Sequence, residues 1–574
     1  DLDPSRQRAI HRALGEALER LQDPDPERLR RHFEAAGEPA RAARHALQAA
    51  ARATAALAFD RAAALYRVAL EHCEADDRPR LERLLGDALA NDGRGVEAAE
   101  AFLRAAERLE GEAALDLLRR AGFERLRSGQ IDEGTAVLQR VLASVGMRLS
   151  ATRGRALLSL IRHRIALALR GLRFSERSES AIPPALLRRV DVAWSIGASG
   201  LGMVDELAAG EFQSLALRLA LRAGEPLRIC RTLAGEVAFS AVGGTRSQRR
   251  TARLLHTART LAERLDVPQA RGTVAMTAGI AAYLEGRFAD AASACAVAEP
   301  ILRSSPGGAW DLINAQLFGL QARVYLGELA AVGERLDPLL REAERRGNLY
   351  LLASLRNGPT HLLWLARGAP DEAQAGIDEA ARLWSTKGMQ VQHYWQLHAR
   401  CDLDLYRGDP RAAADRLQQR WPDLGTLLRI QHVRIEALHL RGRCALAAAA
   451  SDPSWHRRVL ADARAIAAEH TPWGDALAQL LHAGAAARTG DLAAARMHLA
   501  EAVAGCEPAG MALYTAAARR RRGELGPEPE GAHWRGRADT WLLGQGVADI
   551  PRLLATLVPG FPDAPAPAAL IAAR

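Results

Sequence analysis

His432, Glu436 and His439 fall at i, i+4 and i+7 and share one face of a helix, a spacing at which two imidazoles and a carboxylate can grip a divalent metal. The order H-E-x-x-H is absent and the sequence offers no third ligand, so the residues read as partly buried histidines and no metal site is expected. Lys387 is the only lysine in the chain. A phosphate-binding loop needs G-K-[ST], so that the lysine reaches the nucleotide phosphates; here the run is Ser385-Thr386-Lys387-Gly388. A protein-kinase core needs H-R-D and D-F-G, and neither occurs. Residues 197–202 (GASGLG) do not have the G-x-G-x-x-G spacing and follow no strand, so they read as a helix break or a close helix contact. No Ser-His-Asp or Cys-His arrangement has a local signature. The segment is therefore expected to carry no catalytic residue and no cofactor, and not to be an enzyme.

The remaining charge chemistry is arginine. The formal net charge is +9 with 77 basic residues, almost all Arg, densest at residues 519–522 and at Arg246, Arg249, Arg250 and Arg253. Such clusters can meet phosphate or an acidic partner. Acidic residues are interleaved almost everywhere, which favours solvated helix faces over a nucleic-acid surface. The six cysteines are scattered singly, the pattern of a reducing cytoplasm. No apolar run reaches the length that spans a bilayer, and no membrane partner is expected.

Residues 81–110 (LERLLGDALANDGRGVEAAEAFLRAAERLE) show how such side chains are positioned. Two amphipathic runs meet at Asp92-Gly93, with Gly86 seven residues before the turn glycine, Ala98 five after, Phe102 nine after and Ala105 twelve after. Small residues sit where two antiparallel helices approach most closely, and large ones fill the groove beside them. This pattern resembles the tetratricopeptide repeat. The resemblance implies an all-α stack of helical hairpins winding into a right-handed superhelix, since one hairpin cannot bury its apolar face alone. An aromatic content of 5% with abundant Ala suits close helix pairs.

Further turns are marked at Gly37, at residues 57–60 without a glycine, and at Gly129. Later turn glycines, Gly286, Gly327, Gly368, Gly408 and Gly490, are spaced by 41, 41, 40 and twice 41, so one unit near residues 449–453 has lost its glycine. The domain reading is a helix over residues 1–22, read as the end of an upstream ATPase or winged-helix region, then repeats over 23–170. A loop over 171–184, repeats of about 41 residues over 185–522, and a cap and frayed tail over 523–574 complete the chain.

In such arrays the inner helix binds through positions about 13, 10, 6, 3 and 2 before the turn glycine. From Gly408 these are Trp395, His398, Asp402, Leu405 and Tyr406. From Gly327 they are Asn314, Leu317, Gln321, Val324 and Tyr325, and Gly286 adds Met276 and Tyr283. Aromatic and amide side chains on a concave stripe suit a peptide groove, although Trp395 and Tyr406 serve equally well as wedges between helices. Gly93 yields Arg80, Arg83, Asp87 and Asn91, a charged groove for a carboxylate-bearing partner.

The stretches HRALGEALERL, RLRRHFEAAGEPARAARHALQAA and LAFDRAAALYRVAL resemble the passage after the ATPase core of bacterial signal-transduction ATPases with numerous domains. LRLALRAGEPLRICRTLAGEVAFSAVGG and RADTWLLGQGVADIPRLLATLVPGF resemble the C-terminal tetratricopeptide region of myxobacterial-type serine/threonine kinases that carry an AAA-type ATPase module. The resemblance implies a cytoplasmic, non-catalytic interaction and sensor scaffold. It would bind a protein, peptide or small ligand in its concave groove and relay this to upstream kinase and ATPase domains. The alternative is a nucleic-acid-associated or transcription-regulating array that uses its arginines.

Overall fold

The computed structural model describes residues 3–198, 206–385, 389–448 and 454–561. Lys387, part of the glycine-rich run at 197–202, the turn at 449–453 and the tail from 562 lie outside the described residues. Among the described residues every regular element is a helix, and consecutive helices pack as antiparallel hairpins: the chain is an all-α helical-repeat solenoid.

Local sequence sets the helix limits. Asp3, Asp25, Glu225 and Thr471 each precede a proline, and each side chain accepts a hydrogen bond from the first turn it caps. The turns at Gly37, Gly93, Gly129, Gly286, Gly327, Gly368, Gly408 and Gly490 all have left-handed backbone; Leu57 does the same at φ 60° without a glycine. The glycine seven residues before a turn is a contact point: a Cβ on Gly86 would stand 2.6 Å from Phe102 Cδ1, and one on Gly279 2.5 Å from Cys295 Sγ.

The first helix, Pro4–Glu19, packs on this array. Gly15 lies against the Phe33 ring, and Glu19 meets Arg41 at 2.6 Å and His45 at 2.7 Å. Past the loop, the 3-10 turn Glu179–Ala181 leads into Pro184–Gly197. From Pro268 onward seven pairs follow in step, their first helices starting at Pro268, Ala309, Leu349, Val391, Gln431, Pro472 and Ala512, at intervals of 40 to 42 residues. The first helix of each pair faces inward. Fifteen of the 18 residues of Gln431–Ala448 are buried, against four of the 14 in its outer partner Ser454–Ala467. A helix buried on every side cannot leave one face open as a groove.

The cause is tight winding. The turn at Gly244 abuts Gln431, Gly286 abuts Trp473, Gly327 abuts Leu513, and Gly368 abuts Ala548. These contacts join residues 187, 187, 186 and 180 apart, so each coil takes between four and five repeats and rests on the next. Gly286 and Gly327 have φ near 75°, and a Cβ on Gly327 would meet the Leu513 backbone nitrogen at 2.7 Å. The terminal helix packs against the inner helices. Helix Ile550–Leu557 buries Leu553, Leu554 and Leu557 completely; Thr556 O accepts from Arg443 Nη1 at 2.8 Å, and Val558 O accepts from Arg521 Nε at 3.1 Å.

Candidate functional site

The concave positions of the C-terminal coil meet in a closed polar core. Asp402, 1% exposed, holds Arg443 Nη1 at 3.0 Å and His361 Nε2 at 3.0 Å, with His398 Nε2 at 3.5 Å. Burial would raise the Asp402 carboxyl, but Arg443 with the two histidines outweighs it and holds the group well below the usual carboxylate range. Burial pushes His398 down to about 4 despite the neighbouring Asp402. Tyr325 donates to Glu436, stacks on Phe288 at 4.1 Å between centroids, and shares an aromatic cluster with Tyr283, His432 and Trp473. Gln321 is enclosed, and Trp395 and Tyr406 are buried wedges between helices. Gln321, Tyr325, Tyr283, Trp395, His398, Asp402 and Tyr406 therefore line no open peptide groove, because coil closure and the terminal helix occupy the space a peptide would take.

His432 and Glu436 face each other at 3.5 Å, while His439 turns to Tyr514. Among the described residues no three such side chains converge as metal ligands. Arg520 meets Glu524 and Asp539, Arg521 meets Glu524, Arg522 approaches Glu530, and Arg519 meets Glu507. That cluster is consumed internally. Arg250 is similarly answered by the buried Glu236 at 2.5 Å.

A roomy open space lies elsewhere. A chamber of about 510 Å³ sits where the N-terminal repeats turn back onto the C-terminal coil. Helix Gly111–Arg127 contributes Arg119, Arg120, Phe123, Glu124 and Arg127; Pro184–Gly197 contributes Trp194; Pro226–Ala241 contributes Arg231; Ala309–Tyr325 contributes Trp310, Asp311 and Asn314. One end is sealed by a seam of turns: Gly307 N donates to Asn91 Oδ1, Arg346 lies 3.4 Å from Asp92, and Gly129 packs on Leu349 and Trp384.

Cations over rings make up its wall. The guanidinium of Arg127 lies 3.6 Å from the Phe123 centroid and 5.0 Å from that of Trp310; Arg231 covers Trp194 at 3.9 Å and Arg120 covers Phe102 at 4.1 Å. Arg119 is tied to Asp116 and Ser195, Arg120 to Asp87 and Arg231 to Asp191. Arg127 is different. Its side chain is 12% exposed, its nearest carboxylate oxygen, on Glu124, is 3.9 Å away, and its Nε is buried without a partner. Burial lowers it to about 10, with Glu124 and Asp311 only partly compensating, and burial raises both of those carboxyls. A guanidinium buried between two rings, with no bidentate partner, keeps donor capacity of the kind that pairs with a carboxylate or phosphate.

Of the charged quartet before Gly93, Asn91 lines this chamber and Asp87 anchors Arg120, while Arg80 and Arg83 are exposed and do not line it. Asn314 lines it too, accepting from the Tyr350 hydroxyl at 3.0 Å. Arg127, Arg119 and Phe123 escaped the sequence reading, although they stand 2, 10 and 6 residues before Gly129, the same offsets applied at the other turns.

No family model matches the chain, and no curated protein matches it. Among solved structures, one titled "Crystal structure of Ypp1" overlaps 96% of this chain and 88% of its own, at 8% identity and a TM-score of 0.28. A circular tandem repeat protein with novel repeat topology overlaps 94% and 96%, at 16% identity and a TM-score of 0.11.

Proposed function

We propose that this chain is a non-catalytic interaction scaffold with a sensor site, and that the site is the arginine-aromatic chamber between its N-terminal repeats and its C-terminal coil. The supporting observation is Arg127: a buried cation stacked on Phe123 and Trp310 with no hydrogen-bonded acid. The ligand is an organic anion with a flat apolar body, its carboxylate or phosphate on Arg127 and its body against the rings. The chamber is of the size that encloses a drug-sized molecule. Because its walls come from the N-terminal repeats and from the first pairs of the C-terminal coil, a bound anion adds contacts across the seam at Asn91–Gly307 and Asp92–Arg346. In a multidomain regulator of the kinase and ATPase type that the sequence resembles, this chain is the receiving arm and seam closure is what it relays.

The test is calorimetry and thermal melting with phenyl phosphate, benzoate, citrate and inorganic phosphate, on the wild type and Arg127→Met. Binding of the aromatic anions in preference to citrate and phosphate, lost in the variant, supports the reading. Binding that survives Arg127→Met, or no binding by any member of the panel, overturns it.

A further inference from the structure

Helix Arg153–Arg170 is the odd element of the array. It stands at the junction of the two blocks and packs on Glu206–Ala223 through Ala156, Leu160, His163 and Leu167. Its opposite side carries Leu158, Ile161, Ile165 and Leu169, exposed by 70%, 45%, 55% and 85%. Scattered exposed leucines are ordinary, but four large aliphatics in a row on one helix are not. Their steps of three, four and four residues follow the seam of a coiled coil, in which each side chain enters a gap on a facing helix. The row is one side chain wide and about 16 Å long.

Charge identifies the occupant. The helix holds five arginines and no acidic residue (RGRALLSLIRHRIALALR). Arg153 donates to Thr426, and Arg170 is spent on the carbonyls of Gly171, Arg173 and Leu221. Arg155 and Arg162, three residues before and four after Leu158, flank the ridge, are exposed and form no ion pair among the described residues. The carboxylates of the following loop, Glu176 and Glu179, are already paired with Arg264 and Arg228. A second copy of this helix would set arginine against arginine with no acid to answer it.

We propose that Arg153–Arg170 is a docking ridge for an amphipathic helix of a partner protein, one with leucine or isoleucine along its seam and Asp or Glu beside it. The interaction is independent of the chamber, which lies on other helices. The single-file spacing of three, four and four residues favours a helix over a membrane surface, which asks for a broad apolar face rather than a row of knobs.

The probes are two designed helical peptides of identical Leu/Ile seam, one with Glu and one with Lys at the flanking positions. They are titrated by fluorescence anisotropy against the full chain, the exposed-face variant Ile165→Ser/Leu169→Ser and the reversal Arg155→Glu/Arg162→Glu. Both variants alter exposed side chains, and circular dichroism confirms that each is folded. The expected result is at least about tenfold tighter binding of the Glu peptide, loss of that binding in the serine variant, and a switch of preference to the Lys peptide in the reversal. Equal affinity for both peptides, or no binding of either, overturns the proposal. So does seam-dependent sedimentation with phosphatidylserine vesicles in place of peptide binding, or seam-dependent self-association in sedimentation velocity.

Discussion

Arg443 and Asp402 lie 3.0 Å apart on adjacent inner helices, 1% exposed each, and Arg443 also donates to Thr556 of the terminal helix. The pair therefore locks the plug into the coil. Replacing Asp402 with Asn leaves the guanidinium buried without its counter-charge, a loss of about 3–5 kcal/mol. Urea unfolding should report a drop of that size, and the double replacement Asp402→Leu/Arg443→Met should recover most of it. If the single variant unfolds like wild type, the pair does not hold the terminal helix.

Acid should weaken the fold in two separate windows. His398 and His163 are pushed down to about 4 by burial, with Arg218 adding to the effect at His163 and Asp402 opposing it at His398. The unfolded chain takes up these protons first, so stability falls as pH drops from about 6.5 to about 4, by up to about 1.4 kcal/mol per pH unit for each histidine. Asp402 has the opposite partnership: its depressed carboxyl contributes fully above its ordinary value of 3.8, and that contribution disappears only as pH falls through the folded value. Denaturation midpoints at pH 7 and pH 5 should differ, and the difference should shrink in His398→Asn. An unchanged slope in that variant would refute the assignment.

Two turn glycines separate backbone strain from coil contact. Gly408 and Gly286 have similar φ, 81° and 76°, but a Cβ on Gly408 meets nothing within 4 Å while one on Gly286 enters the Trp473 ring. Gly408→Ala should cost about 1 kcal/mol, the strain of a left-handed alanine. Gly286→Ala should cost distinctly more in the same chemical denaturation assay. Equal losses would mean that the coils do not press on each other at Trp473.

Arg127→Met should stabilise the ligand-free chain while abolishing anion binding. A buried guanidinium with no hydrogen-bonded acid is a liability that an apolar side chain between Phe123 and Trp310 removes, with a gain on the order of 1 kcal/mol. A melting temperature that falls in Arg127→Met would mark the residue as structural support for the chamber wall.

The ladder of hairpins was legible because its signals are local. A turn glycine, a small residue seven before it and an alanine five after it are fixed by the geometry of one helix pair, and Gly86 and Gly279 do sit where a Cβ would collide. The concave offsets found the inward side chains, Asp402 and Gln321 among them, but not whether that side was open. Openness depends on contacts such as Gly286 with Trp473, which join residues 187 apart, and no period in the sequence encodes them. Chamber residues divide the same way. Arg127 and Phe123 follow from Gly129 by the general offset, whereas Trp310 and Arg231 reach them from elements more than 100 residues later. The ridge was hidden for a simpler reason. Arg153–Arg170 is apolar on both sides, and only packing reveals that Ala156 and Leu160 face inward while Leu158 and Ile161 do not.

The stacked coils also change how the molecule comes apart. An open repeat array is quasi-one-dimensional: each unit feels only its neighbours, so ends fray, single repeats can be deleted and curvature changes cheaply. Here the turns at Gly244, Gly286, Gly327 and Gly368 each lean on a segment 180 to 187 residues further along. Each repeat therefore has lateral as well as sequential neighbours, and the array behaves as a rolled two-dimensional lattice. Removing one pair shifts the register of all the lateral contacts beyond it, so the C-terminal coil melts as a unit and tolerates no shortened version. The seam around the chamber extends the same lattice to the N-terminal repeats, through Asn91 with Gly307, Asp92 with Arg346 and Gly129 with Trp384.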